Sequence, residues 1–414
     1  MRLEIKNRWV YAAVGVLILL IAGMTYAWSV FSTSIMQEYP EWNTSRLSLT
    51  FTLVMIWFCL GCLSAGFLLK KIRAKIFVWI AAGFYLIGFF LSANTASLAG
   101  LYIGFGVICG FAAGLAYSSV MGTVSQWFPD RPGLISGILL MGFGISSFIT
   151  GKLFQFWTLN YIGAWRQSFV VLGVVSAVVL GFCGLFLERP ESGNQSFGKN
   201  EKRGRVNPVF MEVTPAVMIK QPTFWLFYIW SIMVSAAGLA LVSQAAGIAR
   251  EIGRDASPGT IATVVGLISI FNGTGRVVSG NLYDHLGRST VMHLVNGLFL
   301  LTGITLMIAL KSQIFALLVV GFLVGGLAYG GITPTCSAFI SSYYGLKNYP
   351  QNFPLITTNL LISSFGSAIA GTLYDLSNSY LSTYLMICVL AAVGILASLG
   401  ISVADRRSMK RLAH

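Results

Sequence analysis

Twelve apolar stretches, each at least as long as the ~20 residues a helix needs to cross a bilayer, constrain this chain more than any other feature. They run over about 9–32, 46–69, 76–95, 99–128, 134–158, 166–187, 224–249, 257–283, 289–310, 312–341, 350–374 and 380–404. Their length and continuity predict helices. A spanning barrel would show ten-residue alternations instead. The first stretch is too long for a cleavable signal peptide and continues into Tyr26-Ala27-Trp28 without a small-residue cleavage site. Of the 414 residues 56% are apolar and 10% charged, where a soluble chain carries about a quarter charged. Mean hydropathy is +0.77. The expectation is an all-α integral membrane protein with twelve transmembrane helices.

An even number of spans puts both termini on one side, and Lys and Arg choose the side. With the amino terminus inside, inner segments carry twenty of these residues, from Arg2, Lys6 and Arg8 to Arg406, Arg407, Lys410 and Arg411. The outer ends carry six: Arg46, Lys152, Arg166, Arg250, Arg254 and Lys311. Both termini are therefore expected in the cytoplasm, in a bacterial cytoplasmic membrane. The net charge of +14 is then mostly an orientation signal, and it needs no nucleic-acid partner.

The chain reads as an N-terminal six-helix half (1–187), a cytoplasmic linker (188–223) and a C-terminal six-helix half (224–414). The linker is polar, has four prolines and holds the basic run Lys199 to Arg205. The halves echo each other. Gly66-Phe67-Leu68-Leu69 closes the second span and Gly280-Asn281-Leu282-Tyr283 the eighth, 214 positions on. Gly114-Leu115-Ala116-Tyr117 in the fourth span returns as Gly326-Leu327-Ala328-Tyr329 in the tenth, 212 on. Two landmarks at nearly the same offset predict pseudo-symmetric halves, with a substrate site near the midplane between them.

Six cysteines lie in apolar stretches; Cys59 and Cys62 have C-x-x-C spacing but no second pair completes a metal site. They are read as packing residues, with no metal and no cofactor. Phosphate-loop, dinucleotide-loop and zinc signatures are missing, which argues against an enzyme. One isolated charge makes neither the charged ring nor the carbonyl filter of a channel.

That charge is Arg276, the only Asp, Glu, Lys or Arg well inside a span. It lies eight residues before Asp284, about 12 Å along a helix from the cytoplasmic end. A guanidinium there costs at least ~2.5–3.5 kcal/mol by insertion scales. No other span offers an interior carboxylate, so one reading supplies the counter-charge as an anionic substrate on the planar guanidinium fork. The other satisfies Arg276 with backbone carbonyls and water. Asn272, one turn earlier, either orients the guanidinium, bonds substrate or packs helices. Tyr117, Tyr329 and Tyr26 are candidate hydroxyl donors to a carboxylate, with ring packing as the alternative.

Gly280-x-x-x-Asp284-His285-x-Gly287-Arg288 resembles the loop motif of the major facilitator superfamily. The first copy departs from it, with Lys70 at the family's Asp and Arg73 at its Gly. The resemblance implies a gating role for Asp284 and Arg288, in which the carboxylate clamps a neighbouring helix. An ordinary interfacial carboxylate near Arg288 is the alternative.

Tyr26-Ala27-Trp28-Ser29-Val30-Phe31, Gln126-Trp127-Phe128-Pro129-Asp130-Arg131-Pro132-Gly133, Gly142-Phe143-Gly144, Pro222-Thr223-Phe224-Trp225 and Asn272-Gly273-Thr274-Gly275-Arg276 resemble the oxalate–formate antiporter family, related to the monocarboxylate transporters. That resemblance implies a substrate-carboxylate role for Arg276, with Tyr117 and Tyr329 beside it. The oxalate carrier's second cation, a helix-eleven Lys, falls near Asn359, in a helix without Lys or Arg. Its helix-ten Trp is replaced by Gly325. One buried cation matches one carboxylate, so a monocarboxylate such as lactate or pyruvate is expected. An oxalate/formate-type exchanger, or a non-transporting anion receptor of the same fold, is the alternative. Partners are then a small carboxylate, protons or a counter-anion, and membrane lipid, in a monomer. No Asp or Glu deep in a span offers a proton carrier; His285 and His293 lie near the cytoplasmic ends of helices eight and nine.

Overall fold

The computed structural model describes residues 7–42, 44–158, 163–190 and 212–412. Every regular element there is helical. In chain order these are α1 (Arg8–Ala22), a 3₁₀ turn (Gly23–Ala27), α2 (Trp28–Glu38), α3 (Thr44–Leu68), α4 (Ala74–Ala93), α5 (Leu98–Leu101), a π segment (Tyr102–Cys109), α6 (Gly110–Val124), a 3₁₀ turn (Ser125–Trp127), α7 (Pro132–Thr158) and α8 (Ala164–Gly184). Then come α9 (Pro215–Met218), α10 (Pro222–Ile252), α11 (Pro258–Leu286), α12 (Arg288–Ser312), α13 (Phe315–Tyr344), α14 (Tyr349–Thr357), α15 (Asn359–Ser363), α16 (Phe365–Ser377) and α17 (Leu381–Leu412). Among the described residues, eleven stretches are long and apolar enough to cross a bilayer. The eighth span, α11, runs over Pro258–Leu286 and carries Asn272 and Arg276. Of the expected linker, 191–211, with its basic run, lies outside the described residues.

The chain forms two compact units. The first comprises Met1–Asp130, Ile138–Arg203 and Tyr349–Thr357; the second comprises Arg131–Gly137, Gly204–Asn348 and Thr358–His414. The short exchanged segments are the starts of α7 and of the eleventh span. Their packing explains the exchange. In the second unit the start of α7 lies on α11: a Cβ on Gly280 would collide with the Gly133 carbonyl oxygen and sit 2.9 Å from its carbon. In the first unit α14 lies on α3, where a Cβ on Gly66 would be 2.5 Å from the Pro350 carbonyl oxygen. The two glycines that mark the repeat thus each receive the first turn of another helix. Only a residue without a side chain allows this approach.

Three spans are less regular than their apolar runs suggest, among them the fourth, with its π segment. In the first, Gly23 presses on α7, where a Cβ would be 2.5 Å from the Phe143 carbonyl oxygen, and the helix tightens to 3₁₀ over the residues that include Tyr26. The Ala22 carbonyl then accepts from the Tyr85 hydroxyl at 3.0 Å and from Thr25 Oγ1 at 3.3 Å. The eleventh span is not one helix over 350–374 but three, α14 to α16. Pro354 lies inside α14, and the interruptions fall later, at Thr358 and Ser364. All six cysteines are free thiols, and Cys59, Cys62, Cys109, Cys183 and Cys336 are buried.

Candidate functional site

Arg276 sits deep in α11 of the second unit with 8% of its surface exposed. Its Nε donates to Asn272 Oδ1 at 3.2 Å. The partners are one turn apart, where side chains share a helix face. The acceptor is a neutral amide, so the bond orients the guanidinium plane without cancelling its charge. A guanidinium tied at Nε points its two terminal nitrogens as a fork suited to a carboxylate.

Glycines bring α13 against this part of α11. A Cβ on Gly275 would stand 2.6 Å from the Leu327 carbonyl oxygen, and one on Gly330 would stand 3.0 Å from the Arg276 backbone nitrogen. Tyr329, next to Gly330, is thereby within electrostatic reach of the Arg276 guanidinium. Its ring rests on α10 at Gly238, where a Cβ would lie 2.7 Å from the ring Cγ and 2.8 Å from Cε2.

Asn359, the first residue of α15, is buried and donates from Nδ2 to Ser235 Oγ at 3.4 Å. Ser235 lies one turn before Gly238 on α10. One turn pair further along the same face, the Tyr228 and Thr358 hydroxyls are 2.8 Å apart. The second unit therefore bonds Arg276 to Asn272 and brings Tyr329, beside Gly330, to the same level of α11. Asn359 joins them along a single face of α10.

Tyr26 and Tyr117 belong to the first unit. Both pack on Phe143 of α7, with ring centroids 5.1 Å and 5.3 Å away. Tyr117 is buried, edge-on to Phe58 at 5.1 Å and stacked with Phe353 at 5.9 Å. The Tyr26 hydroxyl points at Met55 Sδ, 3.5 Å away. The phenols share an aromatic cluster whose hub, Phe143, was quoted in a family motif but not assigned to the site. Ser235 and Gly238 were missed too; nothing in a serine or glycine of an apolar span distinguishes it by type.

A Cβ on Gly325 would collide with Leu241 Cδ2 of α10 and lie 3.0 Å from Thr302 Cγ2 of α12, so its bare face serves helix packing.

At the end of α11, Asp284 accepts the backbone N–H groups of Gly133 at 2.8 Å and Leu134 at 2.7 Å. These are unsatisfied donors of the first turn of α7, whose leading Pro132 has none, and a carboxylate suits the positive end of the helix. Arg288 stacks its guanidinium over Phe339 and Tyr343, 5.4 Å and 5.5 Å from the ring centroids. His293 Nδ1 is 3.2 Å from Ser398 Oγ, and His285 is exposed.

A third repeat relation links Glu38 and Glu251. Glu38, the last residue of α2, accepts from Trp165 Nε1 at 2.6 Å and Arg166 Nη2 at 3.0 Å, at the start of α8. Glu251, near the end of α10, accepts from Ser379 Oγ at 2.8 Å and the Tyr380 N–H at 3.0 Å, just before α17. Comparing outer-end acids at the known offset would have found this pair.

The chain matches the family described as Major Facilitator Superfamily over residues 13–249 and 233–413. It is 26% identical to the uncharacterized MFS-type transporter YhjX of Escherichia coli (strain K12), covering 87% of this chain and 86% of that protein. It is 23% identical to the oxalate:formate antiporter of Oxalobacter formigenes, covering 88% and 85%. It is 26% identical to monocarboxylate transporter 13 of Rattus norvegicus, covering 76% and 70%. Among solved structures, the MFS proton:xylose symporter XylE bound to 6-bromo-6-deoxy-D-glucose superposes with a TM-score of 0.72 at 16% identity, covering 95% of this chain and 94% of that one. Twelve spans in two pseudo-symmetric halves and a match along nearly the whole chain make one conclusion: this multi-pass membrane protein is a carrier, not an enzyme, and belongs to the major facilitator superfamily.

Proposed function

We propose that the chain is a secondary active transporter of a small monocarboxylate of the lactate or pyruvate type, working by alternating access and coupled to protons. The observation that carries this reading is the Arg276–Asn272 pair: a buried guanidinium deep in a span, oriented by a neutral amide, with Tyr329 next to the glycine that packs on the Arg276 backbone. Intramembrane charges of this kind mark substrate and ion pathways. In this reading the carboxylate lies on the Arg276 fork, and Tyr329 donates a hydroxyl; Asn359 contributes its amide, and Tyr117 and Tyr26 are the first unit's candidate donors. The names of the oxalate:formate antiporter and monocarboxylate transporter relatives support a carboxylate cargo. One buried cation favours one carboxylate over two, and Asn359, at the expected second cation, bonds to a neutral serine.

A charged Arg276 must not cross the closed site empty. A proton travelling with the anion meets that condition, and so does obligatory exchange, which the antiporter relative favours as the second reading. Asp284 and Arg288 act in this scheme as the cytoplasmic latch on α7. The twenty-to-six distribution of Lys and Arg supports cytoplasmic termini in a bacterial cytoplasmic membrane.

Uptake into proteoliposomes tests the proposal with labelled lactate, pyruvate, formate and oxalate, with and without a pH gradient. Saturable, gradient-driven pyruvate or lactate uptake is expected. Counterflow independent of the gradient would move the assignment to exchange. Tight oxalate binding without lactate or pyruvate transport would overturn it, and binding without flux would mark a receptor.

A further inference from the structure

Tyr329 is the candidate donor whose ring is most closely fitted to a neighbouring backbone. Its Cδ2 occupies the place a Cβ on Gly238 would take, and its Cγ and Cε2 lie within 2.8 Å of that place. No real Cβ tolerates such distances, and the obstacle would be a rigid ring rather than the end of a flexible chain. On its other side Tyr329 is fixed by the main chain. Its neighbour Gly330 lies against the Asn272 carbonyl, and Gly326, one turn earlier, would place a Cβ 2.7 Å from the Ile268 carbonyl oxygen. Because α13 is already pressed on α11 at these two glycines, its backbone cannot move away from α10 and into α11 to make room. The ring has one seat, on the bare backbone of α10.

We infer that Gly238 is a positioning residue for carboxylate recognition: it seats the Tyr329 ring so that the phenol hydroxyl stands beside the Arg276 guanidinium. This rests on the transport reading above. The seat matters because hydrogen bonding is steeply directional, and an angle well below the preferred range weakens it severely. A methyl at 238 tilts the ring by the only free motion, rotation about its side-chain bonds, and carries the hydroxyl away from the guanidinium.

A four-member cycle tests this: wild type, Gly238→Ala, Tyr329→Phe and the double variant, each titrated with pyruvate by intrinsic fluorescence and melted in detergent. Tyr329→Phe keeps the ring and its steric conflict but removes the hydroxyl. If Gly238 acts through that hydroxyl, Gly238→Ala raises the pyruvate Kd about tenfold in wild type, roughly 1.4 kcal/mol. It then adds less than twofold in the Tyr329→Phe background. An unchanged Kd in Gly238→Ala, or a full tenfold loss in both backgrounds, would overturn the assignment. Should Gly238→Ala not accumulate, Gly238→Ala with Tyr329→Ala must fold and bind pyruvate as Tyr329→Ala alone does, because the conflicting ring is gone. Failure of that variant to fold would also overturn it. If wild type binds none of pyruvate, lactate, formate and oxalate, the transport reading fails instead. The seat is then judged by melting alone: the loss of Tm caused by Gly238→Ala must vanish with Tyr329→Ala, and its persistence contradicts the seat.

Discussion

Glu38 and Glu251 stand 213 positions apart, and each receives the opening turn of the last span of its own half: Trp165 and Arg166 in one case, Ser379 and Tyr380 in the other. Their partners are separated by nearly the same offset, 214 positions from Trp165 to Ser379. Each half thus ties its first span to its sixth with a carboxylate.

Replacement of either acid should loosen its own half. Both groups of the Glu38–Arg166 pair are about a quarter exposed, at 24% and 27%, so the ion pair itself is worth little. The larger cost is the Trp165 N–H and Arg166 left without their acceptor. Glu38→Ala and Glu251→Ala should each lower stability by about 1 kcal/mol. Their effects should add within a few tenths if the clamps are independent. Thermal unfolding of the two single variants and the double variant checks this.

Asp284→Asn should uncouple binding from turnover. An amide oxygen can still accept one of the two N–H groups, but the charge facing the start of α7 is lost, worth about 0.3–1 kcal/mol. Pyruvate affinity should stay within twofold of wild type, while the rate of uptake changes by several-fold. A parallel change in affinity would place Asp284 at the substrate instead.

Asn272 offers a sharper contrast. Asn272→Ala removes the acceptor that orients Arg276, and pyruvate affinity should fall about tenfold, the worth of one charge-assisted hydrogen bond. Asn272→Asp keeps the acceptor and adds a negative charge next to the guanidinium. Binding should then be lost more completely than in the alanine variant, although the aspartate is the closer match in shape. Equilibrium titration of both variants decides it.

Gly325→Ala should harm folding and leave selectivity alone. The added methyl meets Leu241 and Thr302, and overpacking of this kind costs about 1–3 kcal/mol. The yield of folded protein should drop, while the order of preference among pyruvate, lactate, formate and oxalate stays as in wild type.

How much of this was legible in the chain depends on which physical signal each feature leaves. Spans are readable because the bilayer imposes a minimum apolar length on each helix. Arg276 was legible because a lone charge has no cheap place in a span. The Asp284 contact could be anticipated from a motif, although its acceptance by two backbone amides of α7 could not. Local backbone form left no trace: the 3₁₀ turn at Tyr26, the π segment at Tyr102–Cys109 and the breaks around α15 all lie inside apolar runs. Composition reports how much of a segment is apolar, whereas these irregularities follow from close contacts such as Gly23 on Phe143. The packing at Gly325 leaves no signal for a related reason: a residue count locates it on α13 but does not say which way its missing side chain would point.

The central claim is that Arg276 holds the carboxylate, and pyruvate counterflow in proteoliposomes tests it most directly across wild type, Arg276→Lys and Arg276→Ala. The account predicts saturable counterflow in wild type, none in Arg276→Ala, and a strong loss in Arg276→Lys, because an ammonium keeps the charge but not the planar fork. Pyruvate counterflow in Arg276→Ala at the wild-type rate would contradict it.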